Sequence, residues 1–498
     1  MELTDGRPFP PGDYPVVVVG SGPGGLQVGY SLRRLGIEHA VISADDGPGG
    51  MFRRFPLFER LISWTHEVAD VPRESREFEA HDQNSLVADE PELRALVAGQ
   101  IAEGRRRPAR HEMAAGLSEF AEQAVPVRYG CRWESTRYDE GGLSLGTSDG
   151  EYTARAIVFA IGMTEPWVPL VPGLEFEQHY VNVSPERERY RDRRVVIVGK
   201  RNSAFEVGEA LVRRRVRELT LVSPRPPDLG RLARSPLRPW YLTAYDEHVR
   251  GAPGRYVLDA SVDRVERHGD GYRVHALDPT RPEPLLLDGD IVIAATGFRA
   301  PLQDLPHLGL ETVAEGRLPA LTPYWESVSL PGVFFAGNVS QAAPGLRKHG
   351  VASLSGMVCG FRYNARVLAR RIAETCFSVT TPRPGIEPGS VRDFVLGQLV
   401  RGPELAMQKG YLARVLTATP KGVHDEGVHP LEAFVDAPAD GVAVTLEFDE
   451  SEAIRPALYV RRGGRLRELL LPPHPLRRYD GAEYVAEVDD ALKPLLGS

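Results

Sequence analysis

The 498-residue sequence predicts an α/β fold with two Rossmann-like, doubly wound parallel sheets and a small β-rich C-terminal appendage. Two observations carry this prediction. A strand, a glycine-containing turn and a helix follow one another at residues 16–32 and again at residues 193–211. Apolar strands that end in glycine follow at residues 154–162 and 290–297, and the second of these mirrors the first. Strands that alternate with helices in this way are typical of parallel sheets.

The composition is that of an ordinary globular protein, with 42% hydrophobic and 26% charged residues. A net charge of -8 argues against a nucleic-acid partner. The sequence shows neither an apolar run of membrane-spanning length nor a signal peptide, so we expect a cytoplasmic protein without membrane contact. Its three cysteines form no C-x-x-C motif, which argues against a disulfide framework or a redox-active dithiol.

The first glycine loop has the pattern G-x-G-x-x-G. In such a loop the first glycine permits a sharp turn, the second lets the backbone approach a pyrophosphate, and the third lets the helix pack on the strand. The helix N-terminus then points its positive dipole end at the phosphates. The loop therefore predicts a dinucleotide site, and the alternative is a plain turn between strand and helix. The loop consists of Gly20, Ser21, Gly22, Pro23, Gly24 and Gly25.

The next stretch predicts further parts of this site. The second strand ends at Ser43, where such folds usually place an acid that holds a ribose. The glycine pair Gly49-Gly50, which Met51 follows, is either a place where the backbone passes close to a cofactor or only a turn, and Gly50 and Met51 are candidate cofactor ligands. Residues 51–66 are rich in aromatic side chains, which suit either core packing or the wall of a ring-binding pocket.

The second glycine loop is a degraded copy of the first. Gly199 is kept, but Arg201 stands at the second glycine position and Ala204 at the third. The Arg201 side chain either displaces a dinucleotide or contacts a phosphate itself. The following strand ends at Ser223 and Arg225 without an acid, which favours NADPH over NADH, although a surface position explains Arg225 equally well.

Later segments complete the prediction. Residues 256–288 alternate as a β-meander. Thr296 and Gly297 end the apolar strand that follows, and Gly337 and Asn338 end another one before a helix. Asn338 is a candidate cofactor ligand, or it simply caps its turn.

These motifs, in this order, resemble the flavin-containing monooxygenase group of flavoproteins with two dinucleotide-binding domains. The group includes amine N-hydroxylases, Baeyer–Villiger enzymes and FAD-dependent oxidoreductase domain-containing proteins. The resemblance spans residues 14–371 and includes residues 61–65, 81–86 and 202–204. The sequence departs from the group at Ser43, in the motif before the second loop, and at residues 64–65, where a family asparagine falls.

The resemblance implies FAD at the first loop and NADPH at the second. It divides the chain into an FAD-binding domain at residues 1–165 and 326–380, interrupted by an NADPH-binding domain at residues 166–325. Residues 381–498 form a linker and the C-terminal appendage, which is a candidate for dimerisation, for covering the active site or for docking a partner.

The resemblance also implies the chemistry. NADPH reduces the flavin, oxygen adds to its C4a carbon, and the hydroperoxide oxygenates a small molecule. N-hydroxylation of a small amine or amino acid is the first expectation. Baeyer–Villiger or sulfur oxygenation is the alternative on the same fold, and a flavin-binding protein without turnover is the alternative from another class. A dithiol reductase is disfavoured because C-x-x-C is missing.

The candidate residues that the resemblance adds are equally compatible with ordinary structural or surface positions. The candidates at the reacting centre are Trp64, Thr65 and His66. Further cofactor ligands are Asn84, Gly162, Asn202 and Ser203. Candidates for holding an anionic substrate group are Arg347, Lys348 and His349.

Overall fold

The computed structural model describes residues 6–66, 69–139, 142–226, 245, 254–346, 348–451 and 453–496. The chain forms two compact units. The first comprises Met1–Arg53, Ser63–Met163 and Ala300–Ser498, and the second comprises Arg54–Ile62 and Thr164–Arg299.

The described residues form the following strands and helices. In chain order the strands are β1 (Gly12–Val19), β2 (His39–Ile42), β3 (Trp133–Asp139), β4 (Gly142–Thr147), β5 (Gly150–Phe159), β6 (Glu165–Pro166), β7 (Gln178–His179), β8 (Arg194–Val198), β9 (Glu218–Ser223), β10 (Arg255–Asp259), β11 (Ser261–His268), β12 (Gly271–Leu277), β13 (Leu285–Gly289), β14 (Ile291–Ala294), β15 (Phe298–Arg299), β16 (Thr312–Val313), β17 (Leu318–Pro319), β18 (Val333–Phe335), β19 (Gly385–Ile386), β20 (Leu412–Thr419), β21 (Gly422–Pro430), β22 (Gly441–Phe448), β23 (Ile454–Arg462) and β24 (Arg465–Leu470). The helices are α1 (Pro23–Arg34), α2 (Pro91–Arg94), α3 (Leu96–Gly99), α4 (Arg110–Ala124), α5 (Asn202–Val212), α6 (Val358–Phe377), α7 (Val391–Arg401), α8 (Pro403–Met407), α9 (Leu431–Asp436) and α10 (Ala482–Leu496).

The first unit contains the sheet that carries the first glycine loop. Its strand order is β2-β1-β5-β4-β3, and β18 also pairs with β5. The pairs β1–β2, β1–β5 and β5–β18 are parallel, so the loops after these strands emerge at one edge. Helices α1 and α6 pack against each other beside the sheet. Residues 16–18 of β1 are fully buried because both faces of a parallel sheet are covered.

The second unit contains a parallel sheet with the order β10-β9-β8-β14-β7. The expected β-meander at residues 256–288 is only partly correct. Strand β10 joins the parallel sheet beside β9, and β11, β12 and β13 form a separate antiparallel sheet. Alternating polarity identifies a strand with one buried face, but it does not identify the partner strand.

The C-terminal part is an antiparallel sheet with the order β19-β21-β20-β22-β23-β24. Helices α7 and α10 cover one face with a core that includes Val395, Leu399 and Val488. The fold class predicted from the sequence is therefore confirmed. In the part of the chain that the structure describes, no helix has both the length and the apolar character to cross a membrane.

Candidate functional site

The first glycine loop is built by close backbone contacts. Gly20 adopts φ +115°, and a β-carbon there would lie 2.5 Å from the carbonyl oxygen of Ala160. A β-carbon on Gly25 would lie 1.9 Å from the Gly20 oxygen, and one on Gly24 would lie 2.4 Å from the Gly337 Cα. These three positions therefore accept only glycine without a backbone shift.

Gly22 differs from its neighbours in the loop. A β-carbon on Gly22 would meet no atom within 4 Å among the described residues, so this position faces open space at the start of α1. No side chain caps α1, and its first turn carries no acid. Such a helix end attracts an anion, and the open space beside Gly22 fits the pyrophosphate of FAD.

Three neighbouring positions border the same loop. Gly50, in the 3-10 turn Gly50–Arg53 that also contains Met51, approaches Gly22: a β-carbon on Gly50 would lie 3.1 Å from the Gly22 Cα. The side-chain oxygen of Asn338 is buried and has no hydrogen-bond partner among the described residues. An unpartnered amide beside the loop fits a polar cofactor. Gly162 lies three residues after the end of β5, the strand that pairs with β1, and has φ +71°.

Ser43 ends β2 at the position where an acid that holds a ribose was expected, but its hydroxyl oxygen accepts hydrogen bonds from the protein itself. It is 2% exposed, and its Oγ accepts a hydrogen bond from the Ser21 hydroxyl at 2.8 Å. The same Oγ accepts from the Asp45 backbone at 3.2 Å. Ser43 therefore ties the glycine loop to the end of β2.

A buried polar network connects residues 63–65 with residues 82–85. The Thr65 hydroxyl donates to Asp82 Oδ1 at 2.6 Å and accepts from Asn84 Nδ2 at 2.9 Å. The Ser63 hydroxyl donates to Asn84 Oδ1 at 2.5 Å. Asp82 also accepts from the backbone of Asn84 and Ser85 at 2.9 and 3.1 Å. The side chains of Thr65 and Asn84 are thus both committed to hydrogen bonds within the protein.

Trp64 and His66 flank this network. The Arg106 guanidinium lies 5.5 Å from the centroid of the Trp64 ring. The His66 backbone donates to the His81 carbonyl at 2.7 Å, and the two imidazole rings are 5.8 Å apart at nearly a right angle. Burial lowers the pKa of His81, as do the charges of His66 and Arg477. Among the described residues, His66 Nδ1 is buried without a hydrogen-bond partner.

The side chains that fix this polar network were not predicted from the sequence. Arg362 on α6 is fully buried and donates to the carbonyl oxygens of Glu79, Asp82 and Ser85 at 2.7, 3.0 and 2.7 Å. Asp82 stands in the stretch that carries the resemblance, so that signal could have pointed to it. Arg362 shows only as an arginine on a helix, and the sequence gives no sign of its burial.

The second glycine loop repeats the backbone geometry of the first. Gly199 adopts φ +135°, and a β-carbon there would lie 2.4 Å from the Ala295 oxygen, as Gly20 meets Ala160. No side chain caps α5, and no acid lies in its first turn. The Asn202 side-chain oxygen is buried without a partner among the described residues, and Ser203 follows it in the first turn of α5. This loop fits the phosphates of a nicotinamide dinucleotide.

Charged side chains surround this second loop. Lys200 is buried and forms an ion pair with Asp259 at the end of β10. Arg201 precedes α5 and is exposed. Ser223 ends β9, and Arg225 follows it as an exposed residue. Among the described residues, Arg201 and Arg225 are therefore better placed to contact a ligand than Lys200, whose charge is paired.

Thr296 and Gly297, just after β14, form hydrogen bonds with other residues of the second unit. The Thr296 hydroxyl donates to the Trp167 carbonyl at 2.6 Å. The Gly297 carbonyl accepts from the Trp167 backbone at 3.0 Å and lies 3.1 Å from His179 Nε2. Burial lowers the pKa of His179, so its neutral form is favoured. Gly297 has φ +114° and open space at its β-carbon position.

Two of the candidate substrate residues, Lys348 and His349, lie in a 3-10 turn between β18 and α6 and take no part in the polar network. The Lys348 ammonium contacts Glu447 Oε2 at 3.1 Å and also bonds Glu468 and the Tyr459 hydroxyl. Its charge is therefore already engaged by the C-terminal sheet. His349 is exposed with φ 53°. Arg347 lies outside the described residues.

Comparison with known proteins agrees with this geometry. The family model for pyridine nucleotide-disulphide oxidoreductase matches residues 17–337. FAD-dependent oxidoreductase domain-containing protein 2 of Danio rerio is 25% identical over 84% of this chain and 67% of its own length. The mouse protein of that name is 30% identical, and the match covers 39% of this chain and 30% of that protein.

Two solved structures show the same fold. A flavin-containing monooxygenase from Stenotrophomonas maltophilia superposes with a TM-score of 0.55 at 23% identity, over 73% of this chain and 99% of that one. The bacillithiol disulfide reductase Bdr from Bacillus cereus gives a TM-score of 0.53 at 22% identity, over 73% and 99%. The family model covers more than half of the chain, which therefore belongs to the pyridine nucleotide-disulphide oxidoreductase family and is an FAD- and NAD(P)H-dependent oxidoreductase.

Proposed function

We propose that the protein is an FAD- and NADPH-dependent monooxygenase that N-hydroxylates a small amine or amino acid. Baeyer–Villiger or sulfur oxygenation is the alternative within the same class. The observation that supports the oxygenase proposal is the burial of the cysteine thiols and the absence of a disulfide among them, because a disulfide reductase must pass electrons to sulfur.

The cysteines are poorly suited to that transfer. Cys131 and Cys359 are buried, and none of the three forms a disulfide. Burial raises the pKa of all three thiols, and that of Cys359 rises to about 11. A thiol that exchanges with a disulfide must be a thiolate, so these environments work against reductase chemistry. The thiols therefore speak against an acceptor that receives electrons through protein sulfur, and molecular oxygen is the acceptor that we propose in its place.

The wall at residues 63–66 supports the same proposal. FAD, once bound and reduced by NADPH, supplies the activation of oxygen. The chain must keep that site dry and must not release protons into it. The Thr65 hydroxyl proton is bonded to Asp82, and Asn84 is bonded to Ser63 and Thr65, so these side chains have few free donors. Trp64 supplies apolar surface to the same wall.

NADPH is proposed as the reductant because of the second loop. Arg225 is exposed just beyond β9, beside Ser223, and no acid ends that strand. A guanidinium at this place suits a 2′-phosphate, whereas an acid suits the free hydroxyls of NADH.

The test measures NADPH oxidation, oxygen uptake and product together, on a panel of amines, amino acids, ketones and thioethers. We expect an amine to raise oxygen uptake in proportion to a hydroxylamine product. The triple variant Cys131→Ala, Cys359→Ala, Cys376→Ala, if it binds FAD, should retain this activity. If all electrons appear as hydrogen peroxide with every compound, the oxygenase proposal is wrong. NADPH-dependent reduction of a disulfide that the triple variant loses would establish a reductase instead.

A further inference from the structure

The polar network of Thr65 and Asp82 lies on one side of a short two-stranded ladder in the first unit. Thr65 and Asp82 form an antiparallel bridge, and the His66 backbone donates to the His81 carbonyl at 2.7 Å beside it. Side chains alternate between the two faces of a paired strand. Thr65 and Asp82 therefore share one face of the ladder, and Trp64, His66 and His81 share the other.

The two faces differ in charge and in exposure. The face with the Asp82 carboxylate is buried, and Arg362 closes it with a bond to the Asp82 carbonyl at 3.0 Å. The opposite face presents the half-buried imidazoles of His66 and His81, whose ring centroids are 5.8 Å apart. Neither imidazole forms an ion pair with a described residue.

An exposed arginine borders the second face at Trp64. The Arg106 guanidinium lies 5.5 Å from the centroid of the Trp64 ring, and the Arg106 carbonyl accepts from the Thr65 backbone at 2.9 Å. The backbone bond fixes Arg106 beside the ladder. Among the described residues, its side chain forms neither an ion pair nor a hydrogen bond, so its N–H donors are available to a ligand.

A second exposed arginine, Arg477, comes from the C-terminal appendage. Its backbone donates to the His474 carbonyl at 2.9 Å, and the backbone N–H groups on either side of it donate to His474 Nδ1 at 3.1 and 3.2 Å. These bonds hold Arg477 at φ 53°, which is uncommon outside glycine. Burial lowers the pKa of His81, and the charges of His66 and Arg477 lower it further, so the Arg477 guanidinium lies near that ring.

The basic groups around Arg477 have no counter-charge in the described chain. Burial lowers the pKa of Lys409 to about 8, and the charge of Arg477 contributes to that shift. The Lys409 ammonium donates to the Ala406 carbonyl, and neither Lys409 nor Arg477 forms an ion pair with a described residue. Neighbouring cations that lower one another's pKa lack a nearby anion, and a bound carboxylate would supply it.

We propose that this cationic face, formed by Trp64, His66, His81, Arg106 and Arg477, binds the carboxylate of a small organic acid. The inference rests on the proposed function, in which residues 64–66 line the reacting centre, and it makes the substrate an acid that carries an amine rather than a simple amine. Both guanidiniums are exposed, and each presents a fork of N–H donors that fits carboxylate oxygens.

Binding is measured by calorimetry on the full chain, saturated with FAD and with excess NADP⁺ so that both dinucleotide loops are filled. The probes are δ-aminovalerate, its decarboxylated counterpart butylamine, and succinate, an acid without an ammonium group. We expect saturable binding of both acids and at least about 10-fold weaker binding of butylamine. Arg106→Gln and Arg477→Gln should each weaken acid binding about 10-fold, whereas Arg106→Lys and Arg477→Lys, which keep the charge, should lose less.

Arg132→Gln is the matched control, because Arg132 is an exposed arginine of the same unit and forms no ion pair with a described residue. Its loss should leave acid binding unchanged. Absence of saturable acid binding up to about 10 mM would overturn the inference, as would equal affinity of the parent, Arg106→Gln and Arg477→Gln.

Oxygen uptake with the same probes separates this inference from the proposed function. Equal uptake with butylamine and δ-aminovalerate would overturn the inference and leave the oxygenase proposal standing. Acid binding that both arginine variants weaken, without oxygen uptake on any compound of the panel, would support the site and contradict the oxygenase proposal instead.

Discussion

A β-carbon built on Gly24 would lie 2.4 Å from the Cα of Gly337, so the first glycine loop and the loop after β18 touch through their backbones alone. Gly22, two residues earlier, faces open space. The same loop thus contains one glycine required by packing and one that packing does not require.

This contrast gives the first prediction. Gly22→Val should fold normally yet lose its flavin, because the new side chain fills the space left for a pyrophosphate. Gly24→Ala should instead lower the melting temperature of the flavin-free protein, because its β-carbon meets backbone. Flavin content by absorbance and thermal unfolding of both variants check this. Normal FAD content in Gly22→Val would show that the loop assignment is wrong.

The second prediction concerns cofactor choice. Arg225→Ala should lower the preference for NADPH over NADH by about one to two decades, since losing a charge-assisted contact costs about 1.5–3 kcal/mol. The measurement is the rate of flavin reduction by each nucleotide. Arg213→Ala removes another exposed arginine of the same unit and should leave the preference unchanged. An unchanged preference in Arg225→Ala would show that Arg225 does not contact the nucleotide.

The third prediction follows from Glu206 on α5. Burial raises the pKa of Glu206 to about 7, while its oxygens accept from the Phe58 backbone at 3.0 Å and the Tyr180 hydroxyl at 2.6 Å. A carboxyl with a raised pKa favours the folded state below its unfolded pKa of 4.5, and this advantage is lost as pH rises through 7. Relative to Glu206→Gln, the parent should lose up to about 3 kcal/mol of unfolding free energy over that range.

Denaturant unfolding at pH 5 and pH 8 checks this difference. Glu188→Gln, at an exposed glutamate of the same unit, is the control and should track the parent at both values. A difference between parent and Glu206→Gln that does not vary with pH would contradict the assignment of the buried carboxyl.

The fourth prediction decides the role of Lys348. Its ammonium pairs with Glu447, whose side chain is 4% exposed, so Lys348→Met leaves a buried carboxylate without its cation. We expect a loss of about 2–3 kcal/mol of unfolding free energy and little change in KM. Lys421→Met, at an exposed lysine, is the control. A raised KM with unchanged stability would instead make Lys348 a substrate contact.

The sequence by itself determined the two strand–loop–helix units, because their signals are local. A glycine at positive φ, an apolar strand and an uncapped helix start depend on residues within about a dozen positions of each other. The β-rich character of the C-terminal appendage could be predicted for the same reason, because alternating polarity along a strand is also a local signal. The roles of Gly20, Gly25 and Gly199 in backbone packing could be predicted for this reason.

Only the tertiary structure decided which distant groups meet. Arg362 appears in the sequence as one of several arginines on a helix, and the fold buries it against three carbonyl groups about 280 positions earlier. Strand β10 was expected in a meander, but it pairs with β9. Lys348 is held by Glu447 across 99 positions. Pairings of this kind depend on how sheets and helices pack, and packing selects among many partners that the local sequence leaves equivalent.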